Sequence, residues 1–236
     1  MNIANKTVLI TGANRGIGQA LVAEALRRGA KRIYAGMRNP LGHPDKRVTR
    51  LTLDVTSHAQ IQQAAGEVET LDLLINNAGI ALYDDLSDPD VLKQQLTVNL
   101  FGPLQVTRAF LPALKRSKGV IVNHLSLAAL ASLPIISSYS VSKAALHNLT
   151  QALRALVASE GVAVHGVFLG PVDTDMNRGV DIPKASPESA ARGIFDGLER
   201  GEEDIFPDPA SAAMAEGWRT GVVKALERQS AAFVNR

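Results

Sequence analysis

The sequence predicts an α/β fold: a doubly wound parallel sheet of about seven strands with helices on both faces. Two observations carry this prediction. Short apolar runs alternate with longer amphipathic stretches along the chain, which is the pattern of a parallel sheet connected by helices. The 236 residues, 46% of them hydrophobic, are enough for one large core. Since no linker or internal repeat interrupts the pattern, we predict a single domain over residues 1–236.

Seven short apolar runs are the predicted strands. Each is mostly apolar or β-branched along its whole length, which is typical of strands buried on both faces. They cover residues 7–10, 32–36, 50–55, 71–76, 120–126, 162–169 and 204–206.

Helices are predicted between these strands, because apolar residues recur there at helical spacing. Ser57 and Ser186 are predicted to cap two of them, and Pro187 suits the first helical position. The helices are predicted over residues 16–28, 57–69, 90–115 and 138–159, from 186 onward, and at the C-terminus. One buried stripe is predicted on the fourth helix, formed by Leu146, Leu149, Leu153 and Leu156.

Composition excludes several classes of protein. Charge is nearly balanced, with 25 Lys and Arg against 23 Asp and Glu, and no long basic run favours nucleic-acid binding. The chain has no cysteine, and its five histidines show no spacing typical of a metal site, so we predict no metal. No apolar run approaches the ~18 residues of a membrane span. The N-terminus does not resemble a signal peptide, which favours the cytoplasm.

A glycine-rich loop lies between the first predicted strand and the first predicted helix. Glycines permit positive φ angles and close backbone approach, and the helix N-terminus behind them offers free N–H groups to a pyrophosphate. In this position the loop favours a Rossmann-type dinucleotide site over a turn that merely needs glycine. The predicted cofactor-binding residues of the loop are Gly12, Asn14, Arg15, Gly16, Ile17 and Gly18.

The second strand indicates which nicotinamide cofactor is preferred. A carboxylate at its end normally binds the ribose 2′-hydroxyl of NAD, but here residues 33–38 contain no acid. Arg15 and Arg38 could bind a 2′-phosphate instead, so we predict NADP(H), with NAD(H) possible. The alternative is that both arginines are solvated surface charges. Asp54, with Val55 beside it, is predicted to contact the adenine, although an aspartate there could also cap a helix.

Further motifs follow in a specific order. Asn76-Asn77-Ala78-Gly79 follows the fourth strand, and Tyr139-Ser140-Val141-Ser142-Lys143 has the pattern Y-x-x-x-K. Ser126 lies 13 residues before Tyr139, and Asn99 lies 40 residues before it. With the loop T-G-x-x-x-G-x-G at residues 11–18, the chain resembles the compact branch of the short-chain dehydrogenase/reductase family from residue 6 to about residue 198. One departure is Leu169-Gly170-Pro171, where the family usually has Pro-Gly.

The resemblance implies a set of catalytic residues. Tyr139 would be the acid/base, Ser126 would bind the substrate oxygen, and Asn99 would hold a water linking Lys143 to solvent. Lys143 would hold the nicotinamide ribose. Because Lys143 lies four residues after Tyr139 on a predicted helix, its ammonium is also predicted to lower the pKa of the phenol. The resemblance further implies cofactor contacts by Asn77, Ala78, Gly79, Tyr139, Lys143, Val172 and Thr174.

Several apolar segments are predicted to border the substrate. They comprise Ala81, Leu82, Tyr83, Leu127, Pro134 and Ile135, with a substrate loop and helix over residues 175–200. An uncharged, fairly hydrophobic ketone, aldehyde or secondary alcohol would suit these borders. The resemblance also implies a homotetramer or homodimer formed through helices 90–115 and 138–159.

Two alternatives to an NADP(H)-dependent reductase stay open. One is an NAD(H)-preferring alcohol dehydrogenase of the same family, which the missing acid at Gly36 disfavours. The other is a non-catalytic dinucleotide-binding sensor or regulator, which would not need Asn99, Ser126, Tyr139 and Lys143 together. A sugar-nucleotide epimerase has a related Tyr and Lys pair but requires a longer substrate domain than this length allows.

Overall fold

A computed structural model describes residues 1–40 and 42–234. Seven strands form one fully parallel sheet in the order β3-β2-β1-β4-β5-β6-β7. The strands are β1 (Thr7–Thr11), β2 (Arg32–Met37), β3 (Val48–Thr52), β4 (Leu73–Asn76), β5 (Val120–His124), β6 (Ala163–Val167) and β7 (Asp204–Ile205). The order reverses between β1 and β4, and in doubly wound sheets this is the point where ligands bind.

Helices connect the strands and cover both faces of the sheet. They are α1 (Gly16–Arg27), α2 (His58–Glu67), α3 (Pro89–Leu96), α4 (Gly102–Ser117), α5 (Ser137–Val157), α6 (Pro187–Arg200), α7 (Pro209–Ala212), α8 (Ala215–Thr220) and α9 (Val222–Ala231). Ser57 and Ser186 cap α2 and α6 as predicted, each accepting a backbone N–H with its hydroxyl.

The core is divided by the sheet, because successive strand side chains point to opposite faces. Val8 and Ile10 pack against α1 and α6, where Phe195 is fully buried. Leu9 of the same strand packs on the other side with Phe110 of α4. The doubly wound, single-domain fold predicted from the sequence is therefore confirmed.

The helix predicted over residues 90–115 is wrong in one respect. A π-helical turn, Thr97–Phe101, separates α3 from α4. Pro103 has no N–H to donate to the Asn99 carbonyl four residues earlier, so the regular series of α-helical hydrogen bonds is interrupted at this point. The turn places Asn99 fully inside the protein.

The predicted stripe on α5 is also wrong at one end. Leu146 and Leu153 are buried, but Leu156 is 58% exposed and Val157 takes its place in the core. Four residues rotate a helix by only about 40° beyond one turn, whereas three fall about 60° short of it. Val157 therefore lies closer than Leu156 to the buried face of α5 that carries Leu153.

The predicted third strand ends too late. It pairs with β2 from Val48 to Thr52, opposite Ile33 to Met37. Because β3 is an edge strand with one neighbour, its ladder ends where β2 ends. Asp54 consequently lies in the loop that follows.

The single predicted C-terminal helix is three short helices, α7 to α9. A buried ion network attaches α9 to the body: Lys224 contacts Asp204 at 2.8 Å and Glu227 at 2.9 Å, and Arg154 of α5 contacts both carboxylates. Across the residues that the structure describes, no helix has the length and apolarity to cross a membrane.

Candidate active site

The glycine loop is folded back tightly at the start of α1. Gly12 and Gly16 have φ angles of +66° and +52°, a region that favours glycine. A Cβ atom on Gly18 would lie 2.1 Å from the Gly12 carbonyl oxygen. The N-terminus of α1 follows at Arg15, whose side chain does not cap it. These features fit a dinucleotide pyrophosphate, which needs close backbone approach and unpaired N–H groups.

Thr11 and Asn77 join the glycine loop to the loop after β4. The Thr11 hydroxyl accepts the backbone N–H groups of Asn77 and Ala78, both at 3.0 Å. In return the Asn77 carboxamide donates to the carbonyl oxygens of Thr11 and Gly12 at 2.8 and 3.2 Å. Thr11 was not among the predicted site residues, although it begins the T-G-x-x-x-G-x-G pattern. The Thr11 hydroxyl therefore fixes the position of the loop after β4 relative to the glycine loop.

A cavity of about 1000 Å³ lies at the carboxyl ends of the central strands. Every predicted cofactor-binding residue except Val172 lines it. Val172 packs in the core at 2% exposure, and its carbonyl oxygen accepts a hydrogen bond from the Asn177 side chain. Residues that were not predicted from the sequence also line the cavity, among them Lys93, Thr97 and His124. They come from elements separated along the chain and carry no local motif.

Tyr139 and Lys143 lie together in this cavity, one turn apart on α5. The Lys143 ammonium is 5.7 Å from the centroid of the Tyr139 ring and donates to the His124 carbonyl oxygen at 2.7 Å. Burial lowers the pKa of Lys143 to about 8. Burial, with the Lys143 charge beside it, also lowers the pKa of His124 to about 3, so its imidazole is neutral.

The expected effect of Lys143 on the phenol is corrected by the structure. Burial raises the pKa of Tyr139 above its ordinary value of 10.0, and the hydrogen bond with Ser126 only partly offsets this. Desolvation is the larger effect on the phenol, and the Lys143 ammonium donates to the His124 carbonyl oxygen. Tyr139 is therefore a protonated phenol at neutral pH.

Neither Ser126 nor Asn99 is among the residues that line the cavity, and Asn99 is fully buried. The Ser126 hydroxyl accepts the Ala128 N–H at 3.1 Å and interacts with the Tyr139 phenol. The Asn99 carboxamide accepts the Ile80 N–H and donates to the Ile80 carbonyl oxygen, both at 2.9 Å, and also donates to the Ser142 hydroxyl. Its side chain thus fixes the loop after β4; a water held by Asn99 stays a prediction.

The charged groups of the cavity lie mainly at its rim. Arg15 pairs with Asp175 at 2.8 Å, while Arg38 is exposed beside the end of β2. The Asp54 carboxylate accepts the backbone N–H and the hydroxyl of Thr56 at 2.9 and 2.7 Å. Contact of Asp54 with adenine stays a prediction. Within the described part of the chain, no group of three or more His, Cys, Asp or Glu side chains could hold a metal.

Known proteins are similar to this chain in sequence. A model described as short chain dehydrogenase matches residues 6–184. A short-chain dehydrogenase/reductase of Pestalotiopsis microspora is 31% identical over 98% of this chain and 84% of its own length. A short chain dehydrogenase of Aspergillus terreus is 37% identical over 79% of this chain, which spans only 45% of that longer relative.

Two solved structures are similar over most of the chain. A short chain dehydrogenase from Burkholderia cenocepacia in complex with NADP is 36% identical, with a TM-score of 0.89, and the match covers 97% of this chain and 98% of that one. An NADPH-bound carbonyl reductase from chicken fatty liver is 30% identical, with a TM-score of 0.75, over 83% of this chain and 91% of that one. This chain therefore belongs to the short-chain dehydrogenase/reductase family, whose members are NAD(P)-dependent oxidoreductases.

Proposed function

We propose that the protein is an NADP(H)-dependent oxidoreductase that interconverts a ketone or aldehyde and its alcohol, with Tyr139 as the acid/base. One observation carries the proposal: Tyr139 and Lys143 line the same cavity as the glycine loop. A proton donor and a dinucleotide site thus open into one space of about 1000 Å³.

When bound, the nicotinamide would supply a hydride to the carbonyl carbon in reduction and would accept one from the alcohol in oxidation. In reduction, negative charge develops on the carbonyl oxygen, and the Tyr139 hydroxyl donates its proton there. The raised pKa keeps that proton on the phenol at neutral pH, so the acid is present in the required form. Oxidation requires the phenolate and is favoured only as the pH rises.

Ser126 and Lys143 support Tyr139 in different ways. The Ser126 hydroxyl, which interacts with the phenol, stabilises the developing oxyanion by a hydrogen bond. The Lys143 ammonium, which donates to the His124 carbonyl oxygen, supplies positive charge near the Tyr139 ring. In the bound complex, Lys143 would also hold the ribose hydroxyls of the cofactor.

The NADP(H) preference is supported by charge. The end of β2 has no carboxylate to bind a ribose 2′-hydroxyl, whereas Arg15 and Arg38 both line the cavity. Arginine suits a phosphate because its planar guanidinium donates several hydrogen bonds. The 36% identical structural relative is in complex with NADP.

The proposed substrate is uncharged and fairly hydrophobic. Apolar side chains are exposed in the segments that would border it: Tyr83 at 64%, Ile135 at 66% and Met176 at 44%. The proposed substrate region consists of a loop, residues 175–186, and the helix α6. The apolar face of α6 packs against α1 in the core and is not available to a substrate. The substrate contacts are therefore proposed for residues 175–186. We also propose that the protein forms a homotetramer or homodimer and is located in the cytoplasm.

The proposal is tested by following NADPH consumption with a panel of hydrophobic ketones and aldehydes. We expect NADPH to be consumed faster than NADH, and Tyr139→Phe to abolish the reaction while NADPH still binds. Near-normal turnover by Tyr139→Phe would contradict the role of Tyr139. Tight NADPH binding without turnover of any carbonyl would instead favour a non-catalytic sensor.

A further inference from the structure

The loop after β4 is extended and held at alternate residues. Gln95 of α3 bonds the backbone N–H and carbonyl oxygen of Leu82, both at 3.4 Å, and Asn99 bonds those of Ile80 at 2.9 Å. Two extended residues span about 6.6 Å, and four helical residues span about 6 Å. Because the two spacings are similar, the buried side chains of Gln95 and Asn99 can each hold one alternate residue of this loop by hydrogen bonds.

The next alternate residue, Asp84, contacts α5 instead. Its carboxylate accepts the backbone N–H of Ser138 at 3.1 Å and also accepts a hydrogen bond from the Ser138 hydroxyl. Its own N–H donates to the Ile135 carbonyl oxygen at 3.3 Å, and Asp84 forms a parallel bridge with Ile136. Ser138 is fully buried and directly precedes Tyr139.

Helix α5 has no cap of its own. Its N-cap position is Ile136, whose side chain cannot accept a hydrogen bond. The first N–H groups of a helix need an acceptor, and a carboxylate there also interacts favourably with the helix dipole. Asp84 supplies both from a position 54 residues earlier in the chain.

We propose that Asp84 is a positioning residue for Tyr139: by capping the first turn of α5 from the neighbouring loop, it fixes the phenol relative to the segment that borders the substrate. The inference rests on the proposed role of Tyr139 as proton donor. A second contact holds the same turn, because the Ser142 hydroxyl donates to the Tyr139 carbonyl oxygen at 2.7 Å and accepts from Asn99.

Three variants separate the hydrogen-bonded cap from the charge. Asp84→Ala removes both, whereas Asp84→Asn keeps an oxygen that can accept the Ser138 N–H. Asp85→Asn is the matched control: it removes one charge from the same loop, where Asp85 accepts hydrogen bonds from Ser87 and, among the described residues, none from α5. We expect Asp84→Ala to lower kcat by roughly 10- to 100-fold, the range for a misplaced reacting group. Asp84→Asn and Asp85→Asn should stay near the original kcat, and the Kd of NADPH should not change in any variant.

A spectroscopic titration tests the inference without turnover. The phenolate band of Tyr139 is obtained by subtracting the titration of the corresponding Tyr139→Phe variant. Burial raises the pKa of Tyr139, so loosening its helix turn by Asp84→Ala should move that pKa toward its ordinary value. Asp84→Asn should leave it in place.

The outcomes distinguish the two proposals. An unchanged Tyr139 titration and kcat in Asp84→Ala would overturn the positioning role while leaving the proposed function intact. Equal losses in Asp84→Asn and Asp84→Ala would also overturn it, since the amide oxygen that can still accept the Ser138 N–H would then contribute nothing to kcat. If Tyr139→Phe is fully active, the proposed function fails, but the titration still reports whether Asp84 holds Tyr139.

Discussion

Arg15 and Asp175 form an ion pair, with 2.8 Å between Nη1 and Oδ2, that joins the glycine loop to the segment after β6. Both residues line the cavity. The hydrogen bond from Arg15, together with the charge of Arg178, holds the pKa of the Asp175 carboxyl below its usual value. The guanidinium that we propose for the 2′-phosphate is therefore partly neutralised by a carboxylate of the protein itself.

We predict that Asp175→Asn strengthens NADPH binding relative to NADH. Removing the carboxylate releases Arg15 to the 2′-phosphate, which NADH lacks. Because the pair is exposed, the change should be only about two- to fivefold in the ratio of the two Kd values. Fluorescence titration of both cofactors measures this ratio.

Asp181→Asn is the control for this prediction, because it removes an exposed charge from the same segment. Its Kd ratio should match that of the unmodified protein. The effect of Asp175→Asn should also shrink as salt screens the exposed charges. An unchanged ratio at low salt would show that Arg15 does not contact the 2′-phosphate.

The pH dependence of carbonyl reduction should follow Lys143. The raised pKa of Tyr139 keeps its phenol protonated well into the alkaline range, whereas burial lowers the pKa of Lys143 to about 8. Reduction needs the protonated phenol and the charged ammonium. We therefore expect kcat/KM to fall above about pH 8, measured as initial NADPH consumption.

Lys143→Arg tests whether Lys143 causes this fall in kcat/KM at high pH, which is the alkaline limb of the pH profile. A guanidinium remains charged at any pH in the measured range, so the limb should move upward even if the rate is lower. A limb that stays near pH 8 in this variant would assign the transition to another group.

Gly18→Ala should abolish dinucleotide binding. The added Cβ atom would lie 2.1 Å from the Gly12 carbonyl oxygen and 2.8 Å from the Asn77 side-chain nitrogen, so the loop must open. Titration with NADPH measures the loss. Gly66→Ala in α2 is the control, since no atom lies within 4 Å of its added Cβ; it should bind NADPH normally and gain up to about 1 kcal/mol in stability. Normal NADPH binding by Gly18→Ala would contradict the tight loop.

Lys224→Met should destabilise the fold. Lys224 and Asp204 have side chains that are each 3% exposed, so the substitution leaves buried carboxylates without one of their cations. Breaking such a network costs about 3–5 kcal/mol, or roughly 10 °C in Tm for a chain of this length. Thermal unfolding monitored by circular dichroism measures the change.

Lys115→Met is the matched control for the buried network. Lys115 pairs with Glu160 at the surface, with side chains 38% and 39% exposed. Its loss should cost no more than about 1 kcal/mol. Equal Tm changes in the two variants would mean that the buried network contributes no more than a surface pair.

Local patterns in the sequence were sufficient for much of the fold. The strands, the caps at Ser57 and Ser186, and the glycine loop all follow from residues that interact with near neighbours. The same holds for Tyr139 and Lys143, which four residues on a helix place on one face. Where these predictions were wrong, the causes differ. The end of β3 is a tertiary effect, because β3 ends with its partner β2, whereas the rotation of the helix itself leaves Leu156 outside the core.

The sequence by itself thus determined the fold class, the family and about half of the residues that line the cavity. Only the tertiary structure decided what those residues contact. The bond between Asp84 and Ser138 spans 54 residues, and that between Arg15 and Asp175 spans 160. Such partners depend on how whole elements pack, as does the burial that raises the pKa of Tyr139, and no short-range spacing encodes either one.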